Sequence, residues 1–154
     1  VTEAGTLRSG TVKSAIGIGA LLLDGIGDTI RVSLTADPVE EVETAKILLR
    51  SLGLYDRGVE VISCPTCGRT TVNSIELANA VEKEFRDIRA HVKVAVMGCV
   101  VNGPGEARQA DVGVTGANGE YVLFRGDKIV RHISPDNILP LLRKEVEDIA
   151  RGNK

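Results

Sequence analysis

The sequence predicts an α/β segment over residues 1–56 followed by a small α+β domain over residues 57–154, and three observations carry that expectation. Thr29–Leu34 alternates apolar and polar side chains and leads straight into a helix opening on Asp37-Pro38, the strand-then-helix order of a parallel sheet. A strand ending near Ala4 and the Gly-rich stretch after it repeat that order upstream. From about Gly58 short apolar runs separated by Gly-containing turns take over, and two of them end on cysteines.

In chain order, the Gly-rich stretch reads as a helix from about Ser9 to Leu23, with Ile16, Ala20 and Leu23 on its apolar face. Thr29–Leu34 points Ile30, Val32 and Leu34 one way and Arg31 and Ser33 the other. Asp37 suits an N-cap, Pro38 the first helical position, and Glu40 and Glu41 the positive end of the helix dipole. Val42, Ala45, Leu48, Leu49 and Leu52 form the buried stripe of that helix, and Gly53 suits its stop. Two strands neither close a barrel nor cover both faces of a sheet, so further strands are expected upstream of Val1.

In the second part, Val59–Ile62 is a strand delivering Cys64. A helix follows over Asn73–Phe85, with Ala78, Val81 and Phe85 at helical spacing, and Val92–Met97 is a strand delivering Cys99. Asp111–Thr115, Tyr121–Phe124 and Lys128–Ile133 read as three more strands. Ser134-Pro135 caps a last helix whose amphipathic face includes Ile138, Leu141, Leu142, Glu145 and Ile149. No internal repeat or low-complexity run interrupts the chain.

Composition narrows the function classes. A formal net charge of −2 argues against nucleic-acid or membrane binding through bulk electrostatics. No apolar run approaches the roughly 18 residues of a membrane span. With no charged-then-apolar start like a signal peptide either, a cytoplasmic protein is expected, where thiols stay reduced and Cys-x-x-Cys is a ligand pair more often than a disulfide. Aromatic residues make up only 3% of the chain, so the core must rest on Val, Ile, Leu and Ala.

Three cysteines, Cys64, Cys67 and Cys99, are available, and each cysteine-bearing turn follows a predicted strand. Parallel neighbouring strands would bring all three sulfurs to one sheet edge. A four-coordinate site with three thiolates needs another kind of fourth ligand, and Glu106, beyond Gly103-Pro104-Gly105, is the nearest candidate. An oxygen ligand is displaced more easily than a thiolate, so such a site could open one metal to a substrate. Zinc and an iron–sulfur cluster are both compatible with these residues. A structural zinc site usually brings a second ligand pair, whereas cluster chemistry accommodates an unusual fourth ligand. The bland alternative is buried structural cysteines. His91 and His132 lack partner spacing and read as surface or structural groups. Arg31 with Ser33 suits a phosphate oxygen.

Five segments together carry a family resemblance: Val1-Thr-Glu-Ala-Gly5, Lys13-Ser-Ala-Ile-Gly17, Gly25-Ile-Gly-Asp-Thr-Ile-Arg-Val-Ser33, Cys64-Pro-Thr-Cys-Gly-Arg69 and Gly98-Cys-Val-Val-Asn-Gly-Pro-Gly-Glu-Ala107. In this order they resemble the C-terminal part of the 4-hydroxy-3-methylbut-2-enyl diphosphate synthase family, an oxidoreductase family of non-mevalonate isoprenoid biosynthesis. The resemblance runs from residue 1 to about residue 133. It implies that residues 1–56 are the last two βα units of a (β/α)8 barrel and that residues 57–154 are a small α+β iron–sulfur domain. It also implies a 4Fe–4S cluster on Cys64, Cys67, Cys99 and Glu106, with flavodoxin or ferredoxin as electron donor and a homodimer as the working assembly. The implied reaction is reductive ring opening and dehydration of 2-C-methyl-D-erythritol 2,4-cyclodiphosphate. By the same resemblance Glu3 is an acid/base group, Arg31 and Ser33 hold diphosphate, and Lys13 and Asn102 contact substrate. Most of the barrel that this family carries is lacking here, so these residues alone are expected to hold a cluster without turning over. The rival of another class is a structural zinc-binding interaction module.

Overall fold

The computed structural model describes residues 4–101, 109–117, 119–126 and 128–152. The chain divides into two compact units, Val1–Asp56 and Arg57–Lys154. Its described elements are four helices and one mixed five-stranded sheet.

Helices α1 (Leu7–Leu23) and α2 (Pro38–Ser51) make up the regular structure of the first unit. Asp37 caps α2 as its sequence predicts, accepting the Val39 N–H at 2.8 Å. Past the helix, Leu52 is the C-cap and Gly53 sits at φ +69°. Two expectations need correction. Thr29–Leu34 forms no strand among the described residues, although Val32 and Leu34 are buried and Arg31 is exposed. The alternation survives, but a strand is defined by its ladder, and here the Leu34 N–H is taken by the Glu41 carboxylate at 2.8 Å. Helix α1 buries Gly10, Ser14 and Gly19, whereas Ile16 and Leu23 are 68% and 75% exposed. At Gly10 the reason is steric, because Leu34 lies where a side chain would go, 2.5 Å from that Cβ position.

The second unit is an open sheet in sequence order, β1 (Val59–Ser63), β2 (Val92–Met97), β3 (Val112–Ala117), β4 (Glu120–Arg125) and β5 (Lys128–Ile133). Strands β1, β2 and β3 run parallel, while β4 and β5 return antiparallel with one irregularity between Leu123 and Phe124. Helix α3 (Ser74–Glu84) makes the crossover that a parallel β1–β2 pair requires. Asn73 caps its N-terminus. The Asn73 side chain accepts the Glu76 N–H at 3.2 Å and donates back to the Glu76 carboxylate at 2.8 Å. The last helix, α4 (Ile138–Ala150), begins later than Ser134-Pro135 suggests. Those residues open a single 3-10 turn, Pro135–Asn137, and the Asn137 side-chain amide donates to Ser134 Oγ at 3.0 Å.

Both helices of this unit pack on one sheet face. Leu77, Val81 and Phe85 of the α3 segment and Ile138, Leu142 and Val146 of α4 meet Val92, Val94, Val96, Val112, Val114, Tyr121, Leu123 and Ile133. Each such side chain contributes about 1.5–3 kcal/mol on burial, so valine spacing alone builds this core without many aromatics. Glu145, placed by periodicity on the buried face of α4, lies at its margin and pairs with Arg125 at 3.6 Å. A smaller cluster occupies the other sheet face, where Cys64 packs with Ala95, Met97, Ala110 and Phe124. Among the described residues, no helix is long and apolar enough to cross a membrane.

Arg143 ties α4 to the end of α3, pairing with Asp87, with Glu84 at 3.1 Å and with Glu147 at 3.2 Å, and donating to the Glu84 carbonyl at 2.8 Å. The Arg143 hydrogen bond holds the Asp87 carboxyl below the usual aspartate range. A depressed folded-state pKa contributes stability above the unfolded value of about 3.9, and that contribution is lost as pH falls through the folded value. Asp87→Asn is therefore expected to lower the urea midpoint modestly at pH 7 and to converge with the parent in acid, so that its decline below about pH 4 is flatter. An acid decline equal to the parent's would contradict it.

Candidate metal centre

Cys64 and Cys99 come from the carboxyl ends of adjacent parallel strands, the edge at which open α/β sheets place ligands. Cys64 directly follows β1, and its N–H donates to the Val96 carbonyl at 3.4 Å, carrying the ladder one residue further. The Cys64 sulfur is buried and accepts the Gly98 N–H at 3.1 Å. Cys99, the next residue, is 6% exposed. Register therefore brings the turns carrying these two thiols into contact.

Cys67 lies at the surface, in a turn closed by two hydrogen bonds. Its carbonyl accepts the Thr70 N–H at 3.0 Å, and its N–H donates to Thr70 Oγ1 at 3.2 Å. The Arg69 N–H, then the Arg69 guanidinium, hydrogen-bond the Cys67 sulfur and hold its pKa below that of an ordinary thiol. They outweigh the desolvation that opposes them, and the Thr70 hydroxyl acts in the same direction. The thiolate, the form that binds metals, is thereby favoured. Beyond the turn, the Gly98 carbonyl accepts the Thr71 N–H at 2.9 Å and the Thr71 hydroxyl at 3.3 Å.

All three cysteines are free thiols. Among the described residues, no group of three or more His, Cys, Asp or Glu side chains stands close enough to hold a metal ion. The chemistry of the donors nevertheless fits a thiolate-held metal group. Two sulfurs are buried, the third is biased toward thiolate, and a backbone N–H already points at Cys64. Thr115 adds a buried hydroxyl with no hydrogen-bond partner among the described residues. It pairs in register with Met97 and so shares the sheet face of Cys64. A group rich in acceptor sulfurs would satisfy that donor.

Glu3, Asn102 and Glu106 lie outside the described residues. Lys13 is on an exposed part of α1, Arg31 is exposed and Ser33 is half-buried, all within the first unit. Sequence reasoning passed over Thr70 and Thr71 and quoted Gly98 without giving it a role. The available signal was a pair of hydroxyl residues just past Cys-Gly-Arg and a glycine just before Cys99.

A mixed sheet that carries cysteine turns on neighbouring parallel strands defines a thiol-bearing α+β domain, and the chain belongs to the GcpE family. The GcpE protein C-terminal domain matches residues 60–148, and the GcpE TIM-barrel domain matches residues 1–46. Among similar curated proteins, one from Fusobacterium nucleatum subsp. nucleatum is 57% identical over 154 residues, which is 100% of this chain and 44% of that protein. Another, from Caldanaerobacter subterraneus subsp. tengcongensis, is 58% identical over 151 residues, covering 98% of this chain and 42% of that protein. Both are named 4-hydroxy-3-methylbut-2-en-1-yl diphosphate synthase (flavodoxin). The chain thus spans less than half the length of the relatives it matches.

Proposed function

We propose that this chain is the cluster-bearing C-terminal part of a cytoplasmic 4-hydroxy-3-methylbut-2-en-1-yl diphosphate synthase. Its reaction is the reductive ring opening of 2-C-methyl-D-erythritol 2,4-cyclodiphosphate, taking up two electrons and two protons and releasing one water. The observation that carries this reading is the Gly98 N–H donated to Cys64 Sγ, which joins the two cysteine turns at the carboxyl ends of β1 and β2. The family match and the names of the relatives support it.

Cys64, Cys67, Cys99 and Glu106 hold the 4Fe–4S cluster. When bound, it supplies single electrons and a Lewis-acidic iron to the reaction. Burial of Cys64 and Cys99 keeps water from two of the sulfurs, and exposed Cys67 marks the side open to a donor such as flavodoxin or ferredoxin. Arg31 and Ser33 hold the diphosphate, Lys13 and Asn102 contact substrate, and Glu3 exchanges a proton with it. The working enzyme is a homodimer of a longer chain, and these residues alone do not turn over.

Anaerobic reconstitution with iron and sulfide tests the reading. A brown protein with iron and sulfide in near-equal amounts, inactive as this chain and active at full length with a reduced donor, is expected. Colourless protein with stoichiometric zinc would replace it with the zinc-module reading, for which Cys-Pro-x-Cys-Gly speaks.

A further inference from the structure

One residue touches the placement of all three thiols. Gly98 gives its N–H to Cys64 Sγ at 3.1 Å and is bonded through the chain to Cys99. Its Cα faces Thr70, whose hydroxyl in turn accepts the Cys67 N–H at 3.2 Å. A Cβ on Gly98 would lie 2.8 Å from Thr70 Cγ2 and 2.9 Å from Thr70 Oγ1, so no larger residue fits while Thr70 holds this position. The Gly98 carbonyl, bonded by Thr71, is held from the far side as well. On β3 a Cβ at Gly116 would stand 2.8 Å from that carbonyl oxygen and from Thr71 Oγ1.

We propose that Gly98 and Thr70 form a latch that holds the turns of Cys64, Cys67 and Cys99 in register before any metal binds, so that the thiols have only to close onto the metal, with Thr70 a positioning residue for the thiolates. This inference rests on the reading of the cysteines as metal ligands. The physical reason is that Cys67 sits in an exposed turn whose only registration to the sheet edge, in the bonds described, runs through Thr70 and Thr71 onto Gly98. Removing the Thr70 hydroxyl frees the Cys67 N–H and opens the turn that presents its sulfur. Loss of such an outer-shell partner typically costs about 10–100-fold in metal affinity.

Anaerobic cobalt(II) titration of the chain, read by thiolate-to-cobalt charge-transfer absorption, tests the latch without requiring a cluster. Thr70→Val should weaken cobalt binding by about 10–100-fold and lower the absorption per cobalt, with far-ultraviolet circular dichroism unchanged. Thr70→Ser, which keeps the hydroxyl, should restore both. Gly98→Ala should be as damaging as Thr70→Val, and less so in a Thr70→Ala background, where the obstructing Cγ2 and Oγ1 are gone. A Thr70→Val chain that binds cobalt like the parent would overturn the latch, as would a parent chain whose cobalt spectrum reports fewer than three thiolates. Iron–sulfide reconstitution of the parent, run in parallel, reports separately on the cluster reading. A parent that binds cobalt through three thiolates but takes up no iron with sulfide sinks the function and leaves the latch standing.

Discussion

Cys99→Ala is expected to abolish iron and sulfide uptake by the reconstituted chain. With Cys99 gone, only Cys64 and Cys67 remain as thiol ligands. Losing a direct ligand should exceed the roughly 10–100-fold penalty of losing an outer-shell partner. The fold should survive, because the change removes one sulfur atom just beyond β2 and leaves the Gly98 N–H free to stay on Cys64. Cys99→Ser separates ligation from packing. It keeps the size of the side chain but offers a hydroxyl in place of a soft thiolate, so uptake should fall nearly as far. The measurement is iron and sulfide per chain after anaerobic reconstitution and desalting. Parental content in Cys99→Ala would remove Cys99 from the site.

Phe85→Ala should produce the largest loss of stability in the second unit. Phe85 is 1% exposed, ends α3 with its N–H on the Val81 carbonyl, and packs in the cluster of Val92, Val94 and Val96. Truncating a buried phenylalanine costs about 3–5 kcal/mol in transfer and cavity terms, against a total of about 5–15 kcal/mol for a typical domain. Urea unfolding followed by the fluorescence of buried Tyr121, in a Tyr55→Phe background, should show the shift. Ile75→Ala, in the same helix but 61% exposed, should stay within about 0.5 kcal/mol of the parent. Equal effects from the two changes would mean that the packing is misassigned.

Local signals were strongest where a residue's role depends on its near neighbours in the chain. Asp37 caps its helix through the N–H group two residues on. The β2 strand and the α3 helix were legible because their apolar spacing matches the burial that the sheet imposes. The same kind of reasoning failed at Thr29–Leu34, whose alternation was read as a strand. A strand requires a partner's backbone, and the Leu34 N–H found the Glu41 carboxylate instead. It failed again on α1, where hydrophobicity marked Ile16 and Leu23 but the buried residues are Gly10, Ser14 and Gly19, with Leu34 closing on Gly10.

The candidate site divides along the same line. Residue type and spacing alone named the three sulfurs, because thiol chemistry belongs to the side chain wherever it sits, and the family came from the resemblance of five segments of the chain. What holds those sulfurs was decided only by folding. Cys64 and Gly98 are 34 residues apart and Thr71 and Gly98 are 27 apart, so their hydrogen bonds exist only because β1 and β2 pair in parallel and end side by side. Spacing along the chain carries no information about such contacts, whereas strand register determines them directly.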